Sequence, residues 1–343
     1  MKTFDINSII RPNIQRLKAY SSARDEFKGT AEVYLDANEN PFGTLNRYPD
    51  PRQLKVKEKL ATIKEVHTNQ IFIGNGSDEV IDLAFRIFCE PGQDKALTFT
   101  PSYGMYNVSA NINDVELLEL PLNSEFQINI EDLKPYLEDE QLKLIFICSP
   151  NNPTGNCFES STIQYILENF NGMVVIDEAY IDFSERTSFI QQINTYPNLI
   201  VSQTFSKAWG LAGVRVGAAY ANEFIIDLYN KVKPPYNVST INQEAVLEAL
   251  NNIGQFEINK NIILNEKGKL IEQLQEIALV KKIYPTEANF ILIEVTNANT
   301  IYAKLVKQGI ITRNRNNLVN NCLRITIGSV KENQQLISAL QTL

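Results

Sequence analysis

Apolar positions along the chain fall into two kinds of run that alternate. Short unbroken stretches at 71–73, 144–148, 173–176 and 199–201 have no polar face, so they read as strands buried on both sides. Between them, apolar residues recur at helical spacing, as do Val80, Leu83, Ala84, Ile87 and Phe88. In order, the pattern predicts a helix around 52–65, the strand 71–73, and a helix capped by Ser77 or Asp78. A strand near 95–99, a helix opened by Pro101 to Tyr106, a strand near 115–119 and a helix near 131–138 follow. Next come the strand 144–148, a helix near 159–168, the strands 173–176 and 199–201, a short strand reaching Tyr220 and a helix near 222–231. Strands alternating with helices in this way predict an α/β fold, a mostly parallel sheet covered by helices. In such sheets ligands bind beyond the carboxyl ends of the strands.

The pattern changes at Lys233-Pro234-Pro235. Residues 240–280 read as long helices, and the tail as strand, helix, strand at 289–294, 300–307 and 323–327. The expected division is an N-terminal arm over 1–40 grouped with the smaller unit, a large domain over 41–234, and a small α+β domain over 235–343. The arm has little periodicity. Arg47-Tyr48-Pro49-Asp50-Pro51 is a turn, because its prolines forbid helix.

Composition narrows the chemistry. The formal net charge of −8 and the lack of a basic run argue against nucleic acid or an anionic membrane as partner. An anionic ligand must then be held by a local cluster. Four dispersed cysteines make no disulfide framework and no metal-type pair. The single histidine, His67, argues against Ser-His-Asp catalysis and histidine-rich metal sites, so no metal is expected. Proton transfer falls to Lys, Tyr or a carboxylate. No signal-peptide pattern opens the sequence and no apolar run approaches membrane length, which gives a cytoplasmic expectation.

Polar residues collect just after the predicted strands. Thr204, Ser206, Lys207 and Arg215 follow the strand at 199–201, a set suited to holding a phosphate beside a reactive amine. Gly74 to Glu79 is a glycine loop running into a helix start, which offers free N–H groups to an anion or is simply a tight turn. Asp177 ends a buried strand. It reads either as a cap or ion-pair residue, or as the counter-ion of a protonated pyridine ring. Asn152, Tyr180 and Tyr103 stand where they could reach the same ligand.

Together Asn152-Pro153-Thr154-Gly155, Asp177 to Tyr180, and Ser206-Lys207 with Arg215 resemble the fold-type I pyridoxal-phosphate enzymes, in particular their aminotransferases. The resemblance implies a seven-stranded large-domain sheet and pyridoxal 5'-phosphate as cofactor. It makes Lys207 the lysine that holds the cofactor covalently and shuttles the substrate's Cα proton. It places Asp177 at the ring nitrogen, Asn152 and Tyr180 at the ring oxygen, and Tyr103 on the ring face. Gly76, Ser77, Asp78, Thr204, Ser206 and Arg215 would surround the phosphate. Tyr48 would reach the cofactor of a neighbouring subunit, which implies a homodimer with shared sites.

Residues 20–43, Arg47 to Asp50, Thr100 to Tyr106, Thr204 to Gly217 and Cys322 to Thr326 narrow the likeness to the histidinol-phosphate aminotransferases. That likeness implies exchange between histidinol phosphate plus 2-oxoglutarate and imidazole-acetol phosphate plus glutamate, a step of histidine biosynthesis. Tyr20, Asn152, Arg313 and Arg324 would bind the substrates. The alternatives are an aminotransferase for aromatic or acidic amino acids, a threonine-phosphate decarboxylase of the same build, and a non-catalytic cofactor-binding regulator. The complete lysine, aspartate and arginine set argues against the last.

Overall fold

A computed structural model describes residues 5–20 and 32–343. The strands β1 (Ile71–Gly74), β2 (Lys95–Thr100), β3 (Glu116–Pro121), β4 (Leu142–Cys148), β5 (Met173–Asp177), β6 (Leu199–Thr204) and β7 (Gly217–Ala221) form a seven-stranded sheet in the order β1-β7-β6-β5-β4-β2-β3. From β3 through β2, β4 and β5 to β6 the neighbours are parallel. β7 is antiparallel to both β6 and β1. The unbroken apolar runs have the cause expected of them. Every residue of β5, β6 and β7 is buried, because helices cover both faces.

Alternate residues serve opposite cores. Ile145, Ile147, Val174, Ile176, Leu199 and Val201 face one layer. Leu144, Phe146, Met173, Val175 and Ile200 face the other, where the helix Ser77–Phe88 lays down Val80, Leu83, Ala84, Ile87 and Phe88. Ile9, Ile10 and Ile14 pack in this second layer. The helix Thr240–Asn251 lies beyond residue 234, yet it sends Val246 and Leu250 into the first layer.

The second sheet is four-stranded and antiparallel, in the order β10-β11-β9-β8, from β8 (Val280–Ile283), β9 (Phe290–Val295), β10 (Arg313–Asn314) and β11 (Cys322–Thr326). Its core joins Ile291, Ile293, Leu323 and Ile325 to Leu270 and Leu274 of the long helix Ile253–Gln275 and to Leu336 and Leu340 of the helix Val330–Gln341. β8, β10 and that last helix are elements the sequence pattern did not predict. The two sheets touch closely at Gly155. Its φ is +83°, and a Cβ there would lie 2.4 Å from Thr286 Oγ1. The Glu287 N–H donates to the Gly155 carbonyl at 2.7 Å.

Candidate active site

The carboxyl ends of β1, β2, β4, β5 and β6 open on one cavity. Ser77 and Asp78 reach it after β1, Tyr103 after β2, Asn152 after β4, Asp177 and Tyr180 at and after β5, and Thr204, Ser206 and Lys207 at and after β6. Arg215, just before β7, completes the wall.

One end of the cavity is shaped for an anion. The helix Ser77–Phe88 starts at Gly76 with no side-chain cap, so its first N–H groups are left for an outside acceptor. Glycine is required at two contacts here. Gly76 has φ +80°, and a Cβ on it would lie 2.7 Å from Arg215 Nη2. A Cβ on Gly217, the first residue of β7, would lie 2.4 Å from the Ser77 backbone nitrogen. Arg215, itself left-handed at φ 55°, donates to Ser206 Oγ at 3.3 Å and pairs with Asp78 at 3.2 Å. Asp78 also accepts from the Tyr103 hydroxyl at 3.1 Å.

The other end holds a carboxylate. Asp177 is only 2% exposed. Burial pushes its pKa up to about 6, against the pull of hydrogen bonds from Tyr106 Oη at 2.9 Å and the Ala179 N–H at 3.1 Å. The adjacent Glu178 has a different task. Ser188, the Phe189 N–H and Gln203 all donate to it, so it ties the segment after β5 to β6. Of these consecutive acids, Asp177 is the one facing the cavity, and a cation there would relieve the strain of its burial.

Lys207 lies between the two ends, its Nζ 5.6 Å from the centroid of the Tyr180 ring. Burial, then the charges of Arg324 and Arg215, lower its proton affinity, while Asp177 and Asp78 work the other way. Tyr180 Oη accepts from Asn152 Nδ2 at 3.4 Å, and Asn152 Oδ1 accepts from the Arg324 guanidinium. Arg324 projects from β11 over the Phe290 ring at 5.1 Å, so the smaller sheet contributes directly to the site.

The remaining sequence candidates lie elsewhere. Arg313 is exposed on β10, opposite Arg324 in the ladder. Tyr48 is half-exposed, stacks on Tyr236 at 4.4 Å, and lines a separate groove with Leu45, Arg47 and Ile241. Tyr20 is 71% exposed and is not part of the cavity wall. Two contributors escaped the sequence reading. Tyr106, fully buried, donates to Asp177. Its only signal is its place one helical turn after Tyr103. Arg315 influences Tyr180 together with Arg324. Its signal is the strand spacing from Arg313. Among the described residues no metal-binding cluster occurs, and no helix is long and apolar enough to cross a membrane.

A family model for class I and II aminotransferases matches residues 18–340. The chain belongs to that family. A histidinol-phosphate aminotransferase from Flavobacterium psychrophilum is 51% identical over 349 residues, covering 100% of both chains. The crystal structure of the histidinol-phosphate aminotransferase from Clostridium acetobutylicum superimposes with a TM-score of 0.80 at 25% identity, over 87% of this chain and 90% of that one. The histidinol-phosphate aminotransferase of Sinorhizobium meliloti, solved in complex with pyridoxal-5'-phosphate, gives 0.80 at 23% identity over 89% of each chain. In this aminotransferase the cavity described above therefore lies in the same fold, at the strand ends where an α/β sheet receives its ligand.

Proposed function

We propose that this aminotransferase interconverts histidinol phosphate plus 2-oxoglutarate and imidazole-acetol phosphate plus glutamate, in histidine biosynthesis, with pyridoxal 5'-phosphate as its cofactor. The observation that carries the reading is full-length similarity at half identity to histidinol-phosphate aminotransferases, in a chain with a lysine, a buried aspartate and Arg215 around one cavity.

Three features support the cofactor. The uncapped helix start behind Gly76, with Ser77, Thr204, Ser206 and Arg215 around it, suits a phosphate. The buried, cation-deficient carboxylate of Asp177 suits a protonated ring nitrogen. Asn152 and Tyr180, already in contact, suit a ring oxygen, and Tyr103, on the cavity wall, suits stacking on the ring. Bound there, the cofactor would supply an electron-withdrawing ring that weakens the Cα–H bond of the amine substrate.

The chain's own groups do the rest. Lys207 Nζ, its basicity lowered by burial and neighbouring arginines, is placed to take the Cα proton and return it, since no histidine lies among the cavity-lining residues. Asp177 holds positive charge at the ring nitrogen and so favours electron withdrawal. Arg324, fixed by Asn152 beside Lys207, receives a substrate anion. We also propose a homodimer. Leu35, Phe42, Leu45 and Tyr48 are all exposed within the stretch 35–48, and Tyr48 would enter a neighbouring site from such a face.

The test is a direct assay. Purified enzyme with histidinol phosphate and 2-oxoglutarate should release glutamate faster than with phenylalanine or aspartate as donor. Carbon dioxide released from threonine phosphate, without amino transfer, would instead place the chain with the decarboxylases.

A further inference from the structure

Beside the cavity, β10 and the bend after it concentrate positive charge. Arg313 and Arg324 are directly opposite in the β10–β11 ladder, so their side chains leave the same face of the sheet. Arg315 follows Arg313 at strand spacing, and its N–H donates to the Cys322 carbonyl at 2.9 Å, which continues the ladder and puts its side chain on that face too. None of the arginine ion pairs among the described residues falls on Arg315 or Arg324. Burial, then the charges of Arg324 and Arg313, bring the Arg315 pKa down to about 10. Its Nε is buried without a hydrogen-bond partner.

The bend that carries Arg315 is built from neutral amides. Asn314 Nδ2 donates to Asn299 Oδ1 at 2.7 Å, the Asn316 N–H to Asn314 Oδ1 at 2.9 Å, and the Asn321 N–H to Asn316 Oδ1 at 2.7 Å. These bonds fix the loop without adding the negative charge that would neutralise the arginines. Arg315 and Arg324 both act on the Tyr180 phenol, which stands on the cavity wall. Arg324 bonds Asn152 and stacks on Phe290, and its own Nε is likewise buried without a partner. Arg313 is exposed at the sheet edge. Arg315 is therefore a second half-buried guanidinium on the face that carries Arg324, with an unfilled donor that an incoming anion can satisfy.

We propose that Arg315 is a specificity-determining residue of this site, a ligand for the phosphate group of a phosphate-monoester amine. This rests on the reading of histidinol phosphate as substrate. A phosphate monoester carries about −1.5 to −2 charge near neutral pH and three acceptor oxygens. A distal carboxylate carries one charge and two oxygens, which a single guanidinium fork satisfies. A site that must take both in turn needs the additional guanidinium only for the phosphate. Arg315 thus separates the phosphorylated substrate from the dicarboxylate that shares the pocket.

The experiment compares wild-type, Arg315→Gln and Arg315→Lys holoenzymes. Arg315→Gln is expected to raise KM for histidinol phosphate about 10–100-fold, the worth of a charged hydrogen bond, with kcat close to wild type. KM for 2-oxoglutarate should stay within roughly threefold. Arg315→Lys, which keeps the charge and loses the fork, should fall between. As a readout apart from turnover, inorganic phosphate should raise the Tm of wild-type holoenzyme, whose cofactor-phosphate site is already filled, and raise that of Arg315→Gln less. Equal losses for both substrates, or phosphate protection that does not depend on residue 315, overturn the assignment. If wild type rejects histidinol phosphate while phosphate protection still requires Arg315, the substrate reading fails and the assignment stands.

Discussion

In the seven-stranded sheet the carboxylate and the guanidinium that face the cavity lie beside strand ends and meet partners within the chain. Asp177 has Tyr106 and the Ala179 N–H, and Arg215 has Asp78 and Ser206. In the four-stranded sheet the groups come from a face, and none of the arginine ion pairs among the described residues falls on Arg313, Arg315 or Arg324. The contrast follows what each must do. A group that steers electrons has one correct position, and internal hydrogen bonds hold it there. A group that must accept anions of different shape is better completed by the ligand, because a built-in carboxylate would compete for the same fork.

The sharpest test of this contrast is Lys207→Ala. Turnover should drop by about 10⁴-fold, while thermal stability stays within roughly 0.5 kcal/mol of wild type, because Lys207 lines the open cavity rather than the packed core. A variant keeping substantial turnover would remove the larger sheet as the seat of the chemistry.

Next in size is Asp177→Asn, with an expected loss of about 10³-fold in kcat. It carries a second, opposite effect on the apoenzyme. The folded pKa of Asp177 is raised to about 6 from an ordinary 3.8, so the folded state binds the proton more tightly than the unfolded chain. The stability this gives is present in full below about pH 4 and is lost as pH rises through about 6. Asparagine does not titrate. At pH 8 the apo variant should therefore resist urea better than wild-type apoenzyme, by up to ~3 kcal/mol, and the gap should shrink at pH 5. Lower resistance at pH 8 would mean that the carboxylate is not strained by burial. Smallest is Gly217→Ala, where a Cβ would press on the Ser77 backbone. A cost of about 1–3 kcal/mol is expected, read as a fall in Tm together with weaker cofactor retention. An unchanged Tm would show that the helix start is not seated tightly on β7.

Much of the larger sheet was legible because its strands are buried on both faces, which leaves unbroken apolar runs at 144–148, 173–176 and 199–201. The smaller sheet was harder. β8 has two adjacent exposed lysines between half-buried Val280 and Ile283, and β10 is only Arg313–Asn314, too short to show a period. The candidate site divided in the same way. Lys207, Asp177 and Asn152 follow apolar strands and could be placed at their ends. Tyr106 could not be picked out, because a tyrosine on the buried face of a helix looks like packing until Asp177 is seen beside it. Arg315 was overlooked in favour of Arg313. Which of them is half-buried depends on how the hairpin bends after β10, and residues far from it, such as Asn299, help to set that bend.

β1 occupies one edge of the larger sheet, with β7 as its only neighbour. Gly74 meets Gly217 at the seam, and all of Ile71–Gly74 is buried in the finished fold. A ribosome adds about 5–20 residues per second, so β1 emerges on the order of 10 s before the strand that pairs with it. Throughout that interval a wholly apolar segment has neither a pairing partner nor its full cover, the condition under which nascent chains stick to one another. The seam that shapes the anion end of the pocket is also the last to close in the larger sheet. The burden of this strand order therefore falls on biogenesis, in the interval before β7 arrives.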